Sequence, residues 1–596
     1  MRIVGLVVGL MGVSLIGCGG GAGGGLGKPI AQFPSRDDLE DVAESEAPPL
    51  RPVKTLEVPR WDVAPESLVA EGSYPAETPL DSMIASAAAE RSATLSPPLH
   101  CAGTEAARFF TKHGAYPGDG LRDHIVRRCG SVLPSLTFQT LDMAVPDEVP
   151  EAEFAESMNK AIAQMLAQRA KPGVHLGAGY ARGGGRVSVV AFAGVPTARL
   201  DAFTSLIGDG TSVTLSGELP RHAEHAIALV NHGEFGVEIC EPDRSVKRPR
   251  FSVTCPVAAD DATTRIEIAS SKRGQVLMHQ DVQVMVRRTD EAGLVYEPST
   301  YGGPSKAASS SAFRKAFVGA LNRERERAGL GGLTVENEQS ALSDRLAPHF
   351  FSASESGDSE RTDVIALGLL AGWDVDGMIR EGGIFTGALH GSRSPEHFLS
   401  HALESPLGRQ VLLDRDISRA AVGAALLDPT GIVTIVNTYA FFGSQDHGAD
   451  EDAVFAELTK LRTARGLPPP TRLERGGALD RCLRRIATNT AGTVDAVEEA
   501  LQTISEEQSR SMSGFTLETH DLKNLEISDE LLRNAPLAVS IGVTHYKPEG
   551  AAWGQYVVVF VTEMSGPSVR TAESAPVKRA PRPGIFAGRE QTPSAN

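Results

Sequence analysis

The feature that most constrains the fold is a strand–turn–strand pattern that recurs three times along the chain. Each copy is a glycine-containing aliphatic strand, a turn and a second aliphatic strand, and the copies span residues 174–192, 421–439 and 539–561. Two such strands joined by a short turn predict a β-hairpin. Self-similarity along a chain indicates related structural units. The sequence therefore predicts three related modules.

A helical region precedes each hairpin. Each region contains a helix, a turn that carries glycine and another helix, at residues 109–129, 321–346 and 458–486. Helices packed on an antiparallel sheet give an α+β fold. We therefore expect up to three α-β-α modules, which we assign to residues 93–195, 312–445 and 450–564.

The second module carries short motifs in an order that resembles a known family. These motifs are Asn322-x-x-Arg325, Gly329-Leu330, Leu333, Leu342, Leu346-Ala347, Ser405-Pro406-x-x-Arg409 and Val422-Gly423. They look like the signature of the CAP superfamily, which comprises cysteine-rich secretory proteins, antigen five and pathogenesis-related one and is also called SCP-like. Leu461 and Gly466-Leu467-Pro468-Pro469 are similar to its opening motif in the third module. The first and third modules are then degenerate copies.

The resemblance also implies where a metal site would lie. The family's cleft holds a divalent cation with two histidines and acidic residues, and its second histidine lies in the Ser-Pro motif just before the arginine. Here that position is Gly408, and His349 occurs earlier than the family's spacing of the first histidine. The resemblance therefore implies a cleft without its metal ligands, so we assign no catalytic residue and no cofactor.

One other set of residues has metal-ligand chemistry. His397, His401 and Glu404 are spaced i, i+4 and i+7, which places them on one face of a predicted helix where they could chelate Zn²⁺. We interpret them instead as a polar, solvated helix face. The expected function is a non-catalytic interaction or scaffolding protein. A metal-dependent hydrolase using these three residues remains an alternative, as does a small-molecule or lipid binder of the CAP type.

The N-terminus predicts export and lipid anchoring. Arg2 precedes an apolar stretch that ends in Leu15-Ile16-Gly17-Cys18, which resembles a bacterial lipobox. We predict a signal peptide at 1–17, acylation of Cys18, a flexible tether at 18–92 and a disordered tail at 565–596. The expected location is the bacterial cell envelope, with the outer membrane favoured by Gly19. The expected partners are the membrane, through the lipid, and other envelope or extracellular components.

The remaining segments and cysteines complete the domain assignment. Residues 196–298 alternate apolar and polar side chains, which predicts a small β-sandwich, and residues 299–311 form a predicted linker. Cys101 and Cys129 bracket a helical hairpin, while Cys240 and Cys255 flank a loop between strands, so we predict these two disulfides. Cys482 is left as a buried small residue. The net charge of −17 argues against nucleic acid as a partner.

Overall fold

The computed structural model describes residues 6–7, 33–47, 50, 54–64, 74, 78–167, 170–272, 277–428, 430–443, 447–508, 512–519, 522, 525, 527–533 and 536–563. Cys18 and the predicted tail lie outside these residues. The described part contains thirteen helices and twenty-five strands in small mixed sheets, which confirms the α+β class. None of its helices combines the length and the apolar character that crossing a bilayer requires.

The N-terminal part of the chain contributes a helix and short strands. They are β1 (Leu6–Val7), α1 (Arg36–Glu44), β2 (Thr55–Leu56) and β3 (Trp61–Asp62). Helix α1 begins at a capping box, in which the Ser35 hydroxyl accepts a hydrogen bond from the Asp38 amide and the Asp38 carboxylate accepts one from the Ser35 amide. These elements correct the prediction of a flexible tether at 18–92. The tether was expected because their few apolar residues are not periodic; those residues fill the cores of other parts of the chain.

The first module starts earlier than the sequence predicted. Its elements are α2 (Pro79–Ala89), β4 (Thr94–Leu95), α3 (Pro97–His113), β5 (Tyr116–Pro117), α4 (Asp119–Arg128), β6 (Thr137–Ala144), α5 (Glu151–Ala167), β7 (His175–Gly183) and β8 (Arg186–Gly194). Helix α2 lies before the expected boundary at residue 93. Leu80 and Ile84 of α2 are fully buried in one core with Phe154 and Met158 of α5, so α2 belongs to this module.

A two-sheet β-domain follows the first module. Its strands are β9 (Arg199–Leu200), β10 (Ser212–Glu218), β11 (Ala223–His232), β12 (Gly236–Ile239), β13 (Glu241–Pro242), β14 (Arg250–Pro256), β15 (Thr263–Lys272), β16 (Met278–Arg287) and β17 (Val295–Tyr296). One sheet has the order β13-β14-β10-β9 and the other β1-β16-β15-β11-β12, while β17 pairs with β3. Strand β1 falls in the range predicted as the signal peptide.

The second and third modules begin two residues before their expected boundaries. The second contains α6 (Ser310–Arg327), β18 (Thr334–Val335), α7 (Asn337–Ser356), α8 (Ser359–Ala371), β19 (Ile379–His390), α9 (Pro395–Glu404), α10 (Pro406–Leu412), β20 (Ile417–Leu426) and β21 (Gly431–Phe441). The third contains α11 (Gly448–Ala464), β22 (Thr471–Arg472), α12 (Gly477–Ala487), α13 (Thr493–Gln508), β23 (Met512–Thr519), β24 (Ala538–Tyr546) and β25 (Gln555–Glu563).

The three module sheets have the same strand order. They are β4-β7-β8-β6, β18-β20-β21-β19 and β22-β24-β25-β23. In each sheet a two-residue strand runs parallel to the first strand of the hairpin, and the other pairings are antiparallel. Helices cover both faces of each sheet, which gives the three layers that the sequence predicted.

A glycine occupies the same register in the three hairpins. Gly179, Gly423 and Gly542 each lie three residues after the hairpin residue that pairs with the end of the short parallel strand. At Gly423 a Cβ would lie 2.3 Å from backbone and side-chain carbon atoms of Ser343 on α7. At Gly179 it would lie 2.2 Å from the hydroxyl of Thr104 on α3. The glycine therefore allows a helix to approach the sheet closely.

Candidate functional site

The side chains that could bind a metal ion or exchange protons lie at a junction between helix α9 and neighbouring parts of the chain. Helix α9 begins where the Ser394 hydroxyl accepts a hydrogen bond from the His397 amide, with Pro395 in the first turn. His397, His401 and Glu404 occur on this helix, but their face is not solvated. His397 is fully buried and His401 is 7% exposed. The predicted solvated face is wrong because α4 of the first module and β15 of the β-domain lie against it.

Glu57 reaches this junction from the N-terminal segment. Its carboxylate Oε2 lies 3.5 Å from Nε2 of His397, and both side chains are fully buried. The Tyr296 hydroxyl is 3.3 Å from the same His397 nitrogen. The Tyr301 hydroxyl donates a hydrogen bond of 3.1 Å to the backbone carbonyl of Glu57. Aromatic and imidazole groups thus enclose the Glu57 carboxyl.

Burial sets the protonation states of this group. Removal from water, reinforced by the negative charge of Asp119, raises the pKa of Glu57 well above its ordinary value. Burial and the neighbouring His401 lower the pKa of His397 to about 4. Burial and Glu57 raise the pKa of Tyr296 well above its ordinary value. All three side chains are therefore favoured in their neutral forms at neutral pH.

Asp119 is the charged member of the same junction. Burial alone would raise the pKa of its carboxyl, but Arg122 and His390 outweigh this and hold it below the ordinary range. Arg122 forms a salt bridge with Oδ1, and Nδ1 of His390 lies 3.0 Å from Oδ2. Because the amide of His390 also donates to Oδ2, Asp119 joins the first module to the end of β19.

A second ionic group lies at the C-terminal end of α9. Arg265 of β15 forms salt bridges with Asp123 of α4 and, at 2.6 Å, with Glu404 of α9. Burial acts to lower the pKa of Arg265, but the two carboxylates raise it above its ordinary value. Nearby, the Glu267 carboxylate accepts hydrogen bonds from the Ser405 hydroxyl at 2.9 Å and the Leu407 amide at 3.0 Å. Three parts of the chain are therefore linked through buried polar groups.

The three candidate zinc ligands do not converge on one point. Glu404 is paired with Arg265, whereas His397 faces Glu57 and Tyr296. Across the described residues, no group of three or more histidine, cysteine, aspartate or glutamate side chains has the arrangement of a metal site. The geometry therefore gives His397 and Glu404 contacts with other parts of the chain, while His401 lies near Asp123 of α4.

Gly408 explains why a histidine is missing from the Ser-Pro motif. A Cβ at Gly408 would lie 1.9 Å from the backbone carbonyl oxygen of Ala402, so no larger side chain fits this backbone. The other histidine considered from the sequence, His349, lies 3.1 Å through Nδ1 from the guanidinium of Arg361. Burial, with Arg361, lowers the pKa of His349. Its imidazole thus contributes to the contact between α7 and α8.

The sequence patterns described above gave no indication of the other residues at this junction, which are Glu57, Asp119, Asp123, Arg265 and Tyr296. Their contacts join distant parts of the chain: Asp119 and His390 are 271 residues apart. Asp119 lies between Gly118 and Gly120, where a Cβ would collide with the Glu57 carboxyl and with the Tyr296 hydroxyl. That Gly-Asp-Gly sequence was the local signal for close backbone packing around a charged group.

Both predicted disulfides are present. Cys101 in α3 pairs with Cys129 at the end of α4, with 5.8 Å between their Cα atoms. Cys240 pairs with Cys255 across 4.3 Å. Cys482 is buried and forms no disulfide with another described cysteine. Burial raises the pKa of its thiol to about 11, which disfavours the reactive thiolate.

A further histidine pair lies between the second and third modules. Nε2 of His447 lies 2.9 Å from Nδ1 of His545, and Nδ1 of His447 lies 2.7 Å from the Asp450 carboxylate. Phe442 stacks on the His545 ring at 4.5 Å. Burial and His447 lower the pKa of His545 to about 4. This group contributes to the packing of the third module.

Neither a known protein-family profile nor a curated protein sequence matches the chain. Among solved structures, the chain is similar to an extracellular protein containing a SCP domain from Bacillus anthracis str. Ames. The two share 12% identity with a TM-score of 0.17, over 41% of this chain and 88% of the other. At that identity and TM-score the similarity supports no statement about activity, ligands or partners.

Proposed function

We propose that the chain is a non-catalytic scaffold of the bacterial cell envelope, in which CAP-like modules present binding surfaces to other envelope components. The observation that carries the proposal is the location of the α9 residues. His397, His401 and Glu404 are the groups from which a hydrolase site would be built. His397 and Glu404 contact Glu57 and Arg265 from other parts of the chain, and His401 is buried beside them. A catalytic zinc needs three protein ligands and an open position for water.

The motifs of the CAP family favour the same function. Arg325 of its opening motif is fully buried, and its guanidinium donates to backbone carbonyls of Gly331, Leu412, Asp414 and Ile417. Arg462 in the third module donates to carbonyls of Pro468, Leu531 and Arg533. Arg325 of the motif and Arg462 in the third module therefore hold backbone segments in place.

We further propose that the chain is anchored by a lipid on Cys18. After strand β1, the described residues begin again at Phe33. The Phe33 ring lies 5.0 Å from that of Trp553 in the third module. Between Cys18 and Phe33 are about 14 residues, which span at most about 50 Å when fully extended. We therefore propose a body held close to the membrane. Cys18→Ser should release it from membranes, and continued membrane fractionation of that variant would refute the anchor.

Turnover by the intact protein tests the non-catalytic function. The purified chain is incubated with peptide, ester and glycan substrates, with and without added Zn²⁺, beside a heat-inactivated control. We expect no turnover above that control. Zinc-dependent turnover that disappears in His401→Ala would contradict the proposal and favour the hydrolase.

A further inference from the structure

The N-terminal segment crosses all three modules, and we call its described residues 33–47, 50 and 54–64 the strap. Phe33 contacts Trp553, and the Pro34 carbonyl accepts a hydrogen bond from Trp373 at 2.9 Å. Leu39 is fully buried in the core of the second module. Strands β2 and β3 pair with β5 and β17. The strap therefore contributes to several cores at once.

Glu57 lies in the part of the strap that enters the junction. The Glu57 side chain is fully buried, and neither carboxylate oxygen meets a well-aligned hydrogen-bond donor among the described residues. The backbone amide of Asp119 lies near enough to favour the ionised form, but burial outweighs it. The titratable and charged groups around it come from five elements and the segment that follows β17. They are Asp119 and Arg122 of α4, His397, His401 and Glu404 of α9, His390 of β19, Tyr296 of β17, Arg265 of β15, and Tyr301.

The charges in this group disfavour an ionised Glu57. Asp119 already supplies a carboxylate beside it, and the nearest guanidinium, Arg122, forms a salt bridge with Asp119. A buried carboxylate with so little hydrogen bonding is less stable than a buried carboxylic acid. The closed strap therefore fits a protonated Glu57 and opposes its ionisation.

We propose that Glu57 is a proton-dependent latch, which holds the strap closed while its carboxyl is protonated and releases the strap when the carboxyl ionises. The inference rests on the proposed function in that it takes the junction to be structural. Opening would expose the junction face of α9 and detach β2 from β5. The latch would thus make the arrangement of the modules sensitive to envelope pH.

Glu57 binds its proton more tightly in the closed state than in the open state, and this difference sets how opening of the strap depends on pH. The closed state raises the pKa of Glu57, so its stabilising contribution is complete below the carboxyl's ordinary pKa and is lost as pH rises through the closed-state pKa. In that interval the opening constant rises up to about tenfold per pH unit. His397 has the opposite sign: its pKa is lowered to about 4, so its contribution is lost as pH falls.

Hydrogen exchange of the backbone bonds that hold the strap measures its opening. The Tyr116 and Gly118 amides donate to Lys54 and Leu56, and the Val63 amide donates to Leu294. Exchange of these amides in the intact chain, corrected for intrinsic rates, gives opening constants between about pH 5 and about pH 9. The ratio of the wild-type constant to that of Glu57→Gln isolates the carboxyl, because glutamine keeps the shape and cannot ionise.

We expect that ratio to rise with pH, by up to about tenfold per unit. Glu44→Gln changes an exposed carboxyl on the same strap and should behave as wild type. A ratio that is constant with pH would overturn the latch. If Glu57→Gln does not fold, the wild-type profile decides: opening that does not increase on the alkaline side would overturn it. Turnover of the kind described above would refute the scaffold function, while the exchange ratio reports on the latch alone.

Discussion

Oε2 of Glu57 and Nε2 of His397 lie 3.5 Å apart inside the protein, although one residue comes from the N-terminal strap and the other from helix α9 of the second module. This contact changes the interpretation of α9. A helix face that looks like a metal chelate in the sequence serves as the point where the strap, the first module and the β-domain meet.

The ionic group beside α9 should contribute strongly to stability. Arg265→Ala leaves Glu404 without its salt-bridge partner and removes one of the two arginines beside Asp123, in a region with little access to water. Removing one partner of a buried ion pair lowers the free energy of unfolding by about 3–5 kcal/mol. We expect a loss of that size in the free energy of unfolding measured with a chemical denaturant.

An exposed arginine in the same domain provides the control. Arg199 pairs with Glu218, but their side chains are 67% and 42% exposed. Exposed ion pairs contribute about 0–1 kcal/mol, so Arg199→Ala should have little effect. Similar losses for the two variants would show that the Arg265 group is not a buried connection.

Replacing the hairpin glycines by alanine should destabilise the fold by amounts that depend on what each added Cβ would contact. Gly423→Ala would bring a Cβ within 2.3 Å of backbone and side-chain carbon atoms of Ser343, and overpacking of this kind costs about 1–3 kcal/mol or more. Gly542→Ala should cost less, because the nearest atom is Cδ1 of Leu483 at 2.7 Å, the movable end of a side chain.

Gly443→Ala serves as the control for these variants, since apart from its chain neighbours no atom of the described residues lies within 4 Å of its added Cβ. Its effect should stay within about 0.5 kcal/mol of zero. The comparison uses unfolding free energies of the three variants. A Gly423→Ala protein as stable as wild type would mean that α7 does not approach the sheet as closely as described.

Acid should destabilise the fold through its buried histidines. His397 and His545 have pKa values lowered to about 4, so the unfolded chain binds protons at both positions more readily. Their stabilising contribution is complete above the ordinary histidine pKa of about 6.5 and is lost as pH falls toward about 4. The contribution of these two histidines to the unfolding free energy should therefore decrease between about pH 7 and about pH 4, opposite in sign to that of Glu57.

Replacing one histidine tests the cause of that decrease. His397→Gln should reduce the slope of unfolding free energy against pH by up to one proton's worth, about 1.4 kcal/mol per pH unit. His232→Gln changes a side chain that is 44% exposed and should keep the wild-type slope. Equal slopes in the wild type and His397→Gln would exclude His397 as a source of acid sensitivity.

The predictions that succeeded rest on local patterns. The hairpins and the Cys101–Cys129 and Cys240–Cys255 bridges follow from residues close in sequence, where spacing decides what can meet. The ordered structure of the strap could not be predicted from local patterns. Leu39 and Trp61 are isolated apolar residues in a polar segment, and each fills a core built by other parts of the chain.

The burial of α9 could not be predicted for the same reason. The i, i+4, i+7 spacing correctly places His397, His401 and Glu404 on one helix, but a face is solvated or buried according to what packs on it. Asp119 and Arg265 decide that, and they lie on elements of other modules. Only the tertiary arrangement distinguishes a chelating face from a junction.

The metal content of the intact protein shows most directly whether His397, His401 and Glu404 of α9 bind a metal ion or only contact neighbouring parts of the chain. Elemental analysis is performed on protein purified without added metal or chelator, for the wild type and for His401→Ala. Because these side chains contact neighbouring parts of the chain, we expect much less than one zinc ion per chain in both proteins. About one tightly held ion per chain in the wild type, lost in His401→Ala, would contradict it.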